Sequence, residues 1–303
     1  MARTSRYDYL IGLLLVLLAT AGWSLAGLFV RLVPELNGWQ INCWRGLFLA
    51  LFLLAYLIAV YGRGWIDRFR AIPTPAMLAC AGFFAAGSTL YVTSLTLTST
   101  ANVSCIGALA PLFVAAAGSV FLGERTGTAT WIAAVVALLG AGIIFHDGLV
   151  SGTWLGSFVA ILVALCFAGQ TLVLRRYRRF DMMPAICLGG LIAFFSAALF
   201  AGGLSAPPAQ IAVLAVMGPV QLAIPLIFFA KGARHVQATT LSLIALLDVV
   251  LNPFWSWVGV GEAPTRSAVA GGAIIVGAVA MSIFAGETLN WRPRLLRWLR
   301  IGR

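Results

Sequence analysis

Residues 241–262 read LSLIALLDVVLNPFWSWVGVGE. The run is long and apolar enough to cross a bilayer as one helix, which needs about 20 such residues. It also carries Asp248 in its middle, with Asn252 and Pro253 about a turn and a half further on. A carboxyl at the centre of a membrane helix costs about 2.5–3.5 kcal/mol on insertion scales, so Asp248 must face protein or water rather than lipid. Asp248, Asn252 and Trp255 stand at i, i+4 and i+7 and share one helix face. Two uses fit that face. Either it lines a substrate path, the carboxyl binding an ammonium group or taking a proton, or Asp248 anchors the fold through hydrogen bonds, protonated or paired with Arg45.

The same apolar density fills the chain. Of 303 residues, 61% are hydrophobic and 10% charged, against about 25% charged in a soluble domain. Ten runs of spanning length can be placed, at 10–32, 41–61, 75–97, 101–122, 128–145, 153–174, 184–202, 210–230, 237–259 and 267–285. They are continuous, whereas the strands of a membrane barrel alternate in units of ~10 residues. The expected fold is an all-α integral membrane protein of ten transmembrane helices, with connections too short to hold a soluble domain. The first run exceeds the roughly 7–15 residues of a signal-peptide core and has no small-x-small exit, so it reads as the first helix.

A net charge of +11 would suit a nucleic-acid binder, but its distribution follows the membrane instead. With the N-terminus in the cytoplasm, 17 of the 20 basic residues fall on the inner side, only Arg31 and Arg266 fall outside, and Arg45 lies within the second span. This positive-inside bias places both termini in the cytoplasm and leaves no nucleic-acid reading. The basic tail 287–303, with Trp291 and Trp298, either rests on anionic headgroups or is free. Cys43, Cys80, Cys105, Cys166 and Cys187 all sit in apolar runs, and His146 and His235 are single. That pattern offers no disulfide framework and no metal site. With no Gly-rich phosphate loop and no Ser-His-Asp arrangement, neither an enzyme nor a cofactor is expected.

The chain also repeats itself. At an offset of 138 residues, YVTSLTLTSTANVSCIGALAPLFVAAAGSVFLGE (91–124) aligns without a gap on 229–262, matching Ser104 to Ser242, Ile106 to Ile244 and Gly123-Glu124 to Gly261-Glu262. Five predicted helices precede the midpoint near Ser151 and five follow. An odd number inserts the second half upside down, the inverted plan of many secondary transporters. The expected organisation is one five-helix repeat over 1–150, an inverted one over 151–286, and the tail. Within the first repeat, TSTANVSCIGALAPLFVAAAGSVFLGERTG (98–127) closely resembles the signature of the drug/metabolite transporter superfamily, EamA-type branch, and GARHVQATTLSLIALLDVVLNPFWSWVGVGE (232–262) resembles its second copy. The resemblance covers nearly the whole chain. It implies a ten-helix exporter of small metabolites, often amino acids, with the aromatic amino-acid exporters as one branch. The chain departs from that pattern where Asp248-Val249 replaces a Glu-Pro pair and the proline moves to Pro253.

Other polar or kinked positions at membrane depth complete the candidate set. Trp23, beside Gly22 and Ser24, offers a mid-helix aromatic face for an apolar or cationic substrate, or for core packing. Tyr91 and Ser94 lie on a semi-polar stripe of the third helix with Gly87 and Thr98. Gln170 and Gln221 suit substrate hydrogen bonds and interhelical contacts equally. Ser104 and Ser242 are the repeat-matched pair, though a helical serine often bonds its own turn. Pro111, Pro225 and Pro253 each remove a backbone donor and make either hinges or static kinks. Ala133, Ala137 and Ala141 suit close helix packing. The first helix has no carboxylate, which argues against a cation-selective drug site, and Arg45 alone is too little for a phosphorylated substrate. The expected function is a secondary carrier that exports amino acids or similar small metabolites across the bacterial inner membrane by alternating access, with a small-molecule substrate and the lipid bilayer as partners. The alternatives are a membrane scaffold or receptor without transport, or a carrier of drugs or other metabolites.

Overall fold

A computed structural model describes residues 6–121, 127–236 and 238–282, and every regular element among them is a helix. Eight stretches are long and apolar enough to cross a bilayer: Tyr7–Arg31, Gly38–Ala71, Thr74–Leu97, Thr100–Phe121, Thr130–Ser151, Trp154–Arg176, Met183–Phe200 and Pro208–Gly232. The two remaining expected spans appear as an interrupted pair of helices over 238–260 and as the shorter helix Arg266–Ser282. The chain is thus a multi-pass membrane protein.

Several boundaries follow from local chemistry. The second span begins at Gly38, three residues ahead of its apolar run, because Asn37 caps it: Gln40 N donates to Asn37 Oδ1 at 2.9 Å while Asn37 N donates to Gln40 Oε1 at 3.1 Å. This reciprocal pairing satisfies two amides that a helix start leaves open. The 62–74 connection, expected as a loop, holds a 3₁₀ turn at Gly62–Gly64 and a short helix at Trp65–Ala71. The fifth span continues to Ser151 rather than 145, so His146 and Asp147 lie inside a helix. At 260 the chain ends its helix on Gly261, whose φ of 75° suits glycine, and the amides of Gly261 and Glu262 turn back to Trp257 O and Ser256 O. This is an αL-type stop, and it gives the Gly of the Gly-Glu ending a structural reason. The first-half Gly123-Glu124 and the tail 287–303 lie outside the described residues.

The helices are α1 (Arg6–Trp23), α2 (Ala26–Arg31), α3 (Gly38–Tyr61), α4 (Trp65–Ala71), α5 (Thr74–Leu97), α6 (Thr100–Gly107), α7 (Ala110–Phe121), α8 (Thr128–Ser151), α9 (Trp154–Arg176), α10 (Met183–Phe200), α11 (Pro208–Val216), α12 (Ile224–Gly232), α13 (Ala238–Ala245), α14 (Asp248–Val260) and α15 (Arg266–Ser282). Three spans are therefore broken near their middles, at 24–25, 108–109 and 246–247, and a fourth carries a π-helical segment at Met217–Ala223 between α11 and α12. The breaks at 108–109 and 246–247 stand at matched positions of the 138-residue offset. Pro253, read from the sequence as a hinge or a static kink, does not mark the break of the ninth span. Pro253 sits within α14, and the break lies upstream at Leu246-Leu247. Pro111 falls in the first turn of α7, after the break, where a missing N–H costs little, whereas Pro225 follows the π segment within a continuous helix and removes one of its donors.

The spans pack α3 against α10, α5 against α9 and α10, α1 against α12, and α14 against α2 and α6. On α8 the side is sorted by size. Ala133, Ala137 and Ala141 are buried, whereas Ile132, Val135, Leu138 and Leu139 are more than half exposed. A methyl added at Gly140 would meet the carbonyl of Gly271 on α15, and one at Gly271 would meet that of Gly140. The small face thus lets two backbones approach, and the large face suits lipid.

Candidate functional site

The site begins with a backbone problem. Between α1 and α2 the helix is interrupted, so the amide of Gly27 and the carbonyl of Trp23, i and i−4 partners in a continuous helix, are both freed. Such groups must find partners at membrane depth. Two side-chain amides from the far half of the chain supply them. Gly27 N donates to Asn252 Oδ1 at 3.0 Å, and Gln221 Nε2 donates to Trp23 O at 3.3 Å. Glycine is required at position 27, because any Cβ would overlap Thr100 and Ser256.

Asn252 completes its valence with two further bonds. Its Nδ2 donates to Tyr91 OH at 3.0 Å and to Ser104 Oγ at 2.9 Å. Trp255, three residues along the same face, donates from Nε1 to Ser24 Oγ at 3.0 Å, and Ser24 Oγ donates to Ala21 O at 2.8 Å. The face of α14 that carries Asn252 and Trp255 therefore turns toward the broken first span. The Trp23 ring packs on Phe229 with centroids 5.2 Å apart. Beside them, Pro225 fills the notch left by Gly22.

Asp248 opens α14, directly after the break. Its Oδ1 is shielded from solvent and has no hydrogen-bond partner among the described residues. The pairing with Arg45 weighed from the sequence is not formed. Arg45, only 2% exposed, donates instead from Nε to Gln221 Oε1 at 3.1 Å and from Nη1 to Ser88 Oγ at 3.0 Å. Ser88 Oγ in turn donates to Asn42 Oδ1 at 3.1 Å, and Asn42 Nδ2 donates to Thr89 Oγ1 at 2.7 Å.

The structure thus gathers Trp23, Ser24, Tyr91, Ser104, Gln221, Asp248 and Asn252 around the broken first and ninth spans. It places other candidates elsewhere. Ser94 is fully buried and donates to Gly156 O at 2.8 Å, tying α5 to α9. Gln170 bonds the thiol of Cys80 across the same pair of helices. Ser242 belongs to α13, and its side chain lies outside the described residues.

One group was not singled out from the sequence. Arg31, the last residue of α2, donates from Nε to Glu262 Oε2 at 2.7 Å, from Nη1 to Leu95 O at 2.6 Å and from Nη2 to Thr98 O at 2.9 Å. Glu262 also accepts from Thr100 N at 2.7 Å and Thr100 Oγ1 at 3.1 Å, and Ser256 Oγ donates to Thr100 Oγ1 at 3.2 Å. This latch joins the ends of four spans. Its signal was present in the topology, which puts Arg31 and the Gly-Glu ending at one membrane face.

Known proteins are similar to this chain in sequence and in fold. The pseudopaline exporter CntI of Pseudomonas aeruginosa is 26% identical over 183 residues, covering 58% of this chain and 63% of that protein, so the match spans less than two thirds of the exporter. The uncharacterized transporter YdfC of Bacillus subtilis is 26% identical over 244 residues, covering 77% of this chain and 78% of its own length. An uncharacterized transporter of Vibrio cholerae is 26% identical over 266 residues, 84% of this chain and 85% of its own. A solved crystal structure superposes over 92% of this chain and 98% of the other with a TM-score of 0.64 at 19% identity, a likeness of fold. The profile of the EamA-like transporter family matches twice, over residues 10–146 and 154–284. With nearly its whole length accounted for by those two matches, the chain belongs to the EamA-like transporter family.

Proposed function

We propose that this protein is a secondary transporter that exports amino acids or similar small metabolites across the bacterial inner membrane by alternating access. The observation that carries the reading is the half-buried Asp248 at the break of the ninth span, whose carboxyl Oδ1 is shielded from solvent and lacks any partner among the described residues. Discontinuous membrane helices are where transporters place substrate and ion sites, near the midplane and between repeats. The two family matches over the two halves, and the breaks at 108–109 and 246–247, support an inverted pair of repeats divided near residue 150. The name of the Pseudomonas relative supports export as the direction. In this reading Asp248 binds an ammonium group or carries a proton, Tyr91 places the substrate, Asn252 helps by holding Tyr91 and the first span in position, and both termini are cytoplasmic. The Arg31–Glu262 latch then closes the outer end of the path, so the conformation described is shut toward the outside.

Proteoliposome transport tests it. Asp248→Asn keeps the size of the side chain and a hydrogen-bonding amide but removes the charge. The expected result is transport reduced by about a hundredfold, or transport stripped of its pH dependence, in a protein that still folds. Full transport with an unchanged pH profile in well-folded Asp248→Asn overturns the role of the carboxyl.

A further inference from the structure

The two deeper arginines of this chain are treated differently. Arg31 is answered in full, with a carboxylate on Nε and carbonyls on both terminal nitrogens. Arg45 is more deeply buried, yet no carboxylate lies within ion-pair distance of it among the described residues. Its two acceptors, Gln221 Oε1 and Ser88 Oγ, are neutral. Its second terminal nitrogen, Nη2, has no acceptor among the described residues. Five N–H groups in a fixed fork are therefore only partly used. The neutral acceptors hold the guanidinium in place without cancelling its charge, and an uncompensated charge is costly at membrane depth.

Asp248 presents the mirror case, a carboxyl with one oxygen unpartnered and no cation at ion-pair distance. Tyr91 OH accepts from Asn252 Nδ2 at 3.0 Å, one turn along α14 from Asp248. Gln221 links Arg45 to the backbone of Trp23, the aromatic lining of the same site. Hydrogen bonds thus tie the buried Arg45 to the same broken first span that the Asp248-bearing helix α14 packs on, and the two charges do not pair among the described residues.

We infer that Arg45 is the carboxylate-binding residue of the transport site, and that the substrate class is a zwitterion whose acid group takes the open edge of the Arg45 fork while its ammonium meets Asp248. The inference rests on the transport reading above and narrows it. A lone amine leaves Arg45 unanswered, and a simple carboxylate leaves Asp248 unanswered. Arginine suits this task because its planar fork matches a carboxylate bidentately, which lysine cannot reproduce. The Gln221 amide and the Ser88 hydroxyl, both neutral, keep the fork oriented when the site is empty.

The test compares three matched sets of probes on purified protein in lipid nanodiscs: the twenty amino acids, their carboxamides, and the amines that decarboxylation would leave. The unfolding midpoint and direct binding are read for each. The expected result is that at least one amino acid stabilises the protein, and that its carboxamide and amine bind at least about tenfold more weakly. Arg45→Gln should bring the acid-to-amide ratio close to one, and Arg45→Lys should retain part of the preference. Equal binding of acid and amide by the unsubstituted protein overturns the inference, and so does an undiminished preference in Arg45→Gln. Should Arg45→Gln fail to fold, the acid-against-amide comparison on the unsubstituted protein decides alone. Amines and amides that bind and are carried without any acid preference remove Arg45 from the site and leave the transport reading standing. No binding or transport of any amine-bearing probe removes both.

Discussion

Asn252 is fully buried and makes three hydrogen bonds, to Gly27 N, Tyr91 OH and Ser104 Oγ. Side-chain hydrogen bonds between membrane helices average about 0.6 kcal/mol each. Three amount to about 2 kcal/mol, and the amide of Gly27 stranded by their loss adds about 1–3 kcal/mol more. Tyr91→Phe removes a single bond and leaves the backbone of Gly27 satisfied. Asn252→Leu should therefore lower the unfolding midpoint in detergent several times as far as Tyr91→Phe does. Equal losses from the two would mean that the tyrosine hydroxyl, and not the tie to the first span, carries the cluster. Part of this was legible. Asn252 and Trp255 announce themselves by their spacing from Asp248 on one helical face. Gly27 does not, because its contribution is a backbone amide that becomes available only where the helix breaks, and no proline marks that break. Arg45 was visible as a charge inside a span, but its lack of a counter-charge depends on where α10, α5 and the π segment settle around it.

At the scale of elements, the latch joins α2, α14 and the α5–α6 turn through one carboxylate. The ion pair itself is partly exposed, and exposed pairs contribute little on their own. Here the guanidinium also holds two carbonyls and the carboxylate also holds a backbone amide, so the charge fixes four segments together. Losing it should loosen one end of the bundle more than it destabilises the fold. Ala101 lies directly beneath, next to Thr100, and is almost fully buried. In a background without other cysteines, Ala101→Cys should resist a membrane-impermeant thiol reagent added to intact cells. Adding Arg31→Gln should raise its labelling rate about tenfold with little change in folded yield. A rate that stays the same would show that the ion pair does not hold this end shut. Spans of this kind were readable because twenty apolar residues have few other solutions. Their interruptions were not. Leu246-Leu247 and Ala108-Leu109 contain neither glycine nor proline, and the prolines that do appear lie downstream of the breaks they accompany. The breaks are imposed by partners across the bundle, which a single helix does not display.

For the whole molecule, the proposed orientation rests on the charge bias. In it, seventeen basic residues lie on the cytoplasmic side with the Arg-rich 175–183 connection, and two lie outside with the Glu262 end. A single cysteine at position 178 should be labelled by an impermeant reagent only after the cells are permeabilised, whereas one at the exposed position 263 should be labelled in intact cells. The reverse pattern would invert the topology and reassign the latch to the inner face. The apolar runs made the multi-pass helical architecture legible, since hydropathy acts during insertion. Contacts between the halves belong to assembly, a later stage. That separation has a consequence for the first span. The groups that complete its interruption stand 198 and 225 residues downstream, at Gln221 and Asn252. A ribosome releases the first span to the lipid long before either amide is translated. Until they arrive, the bond from Gly27 back to Trp23 is the sole way to keep both groups satisfied. The bend in the first span is thus a product of maturation, sealed only when the end of the chain has joined its beginning.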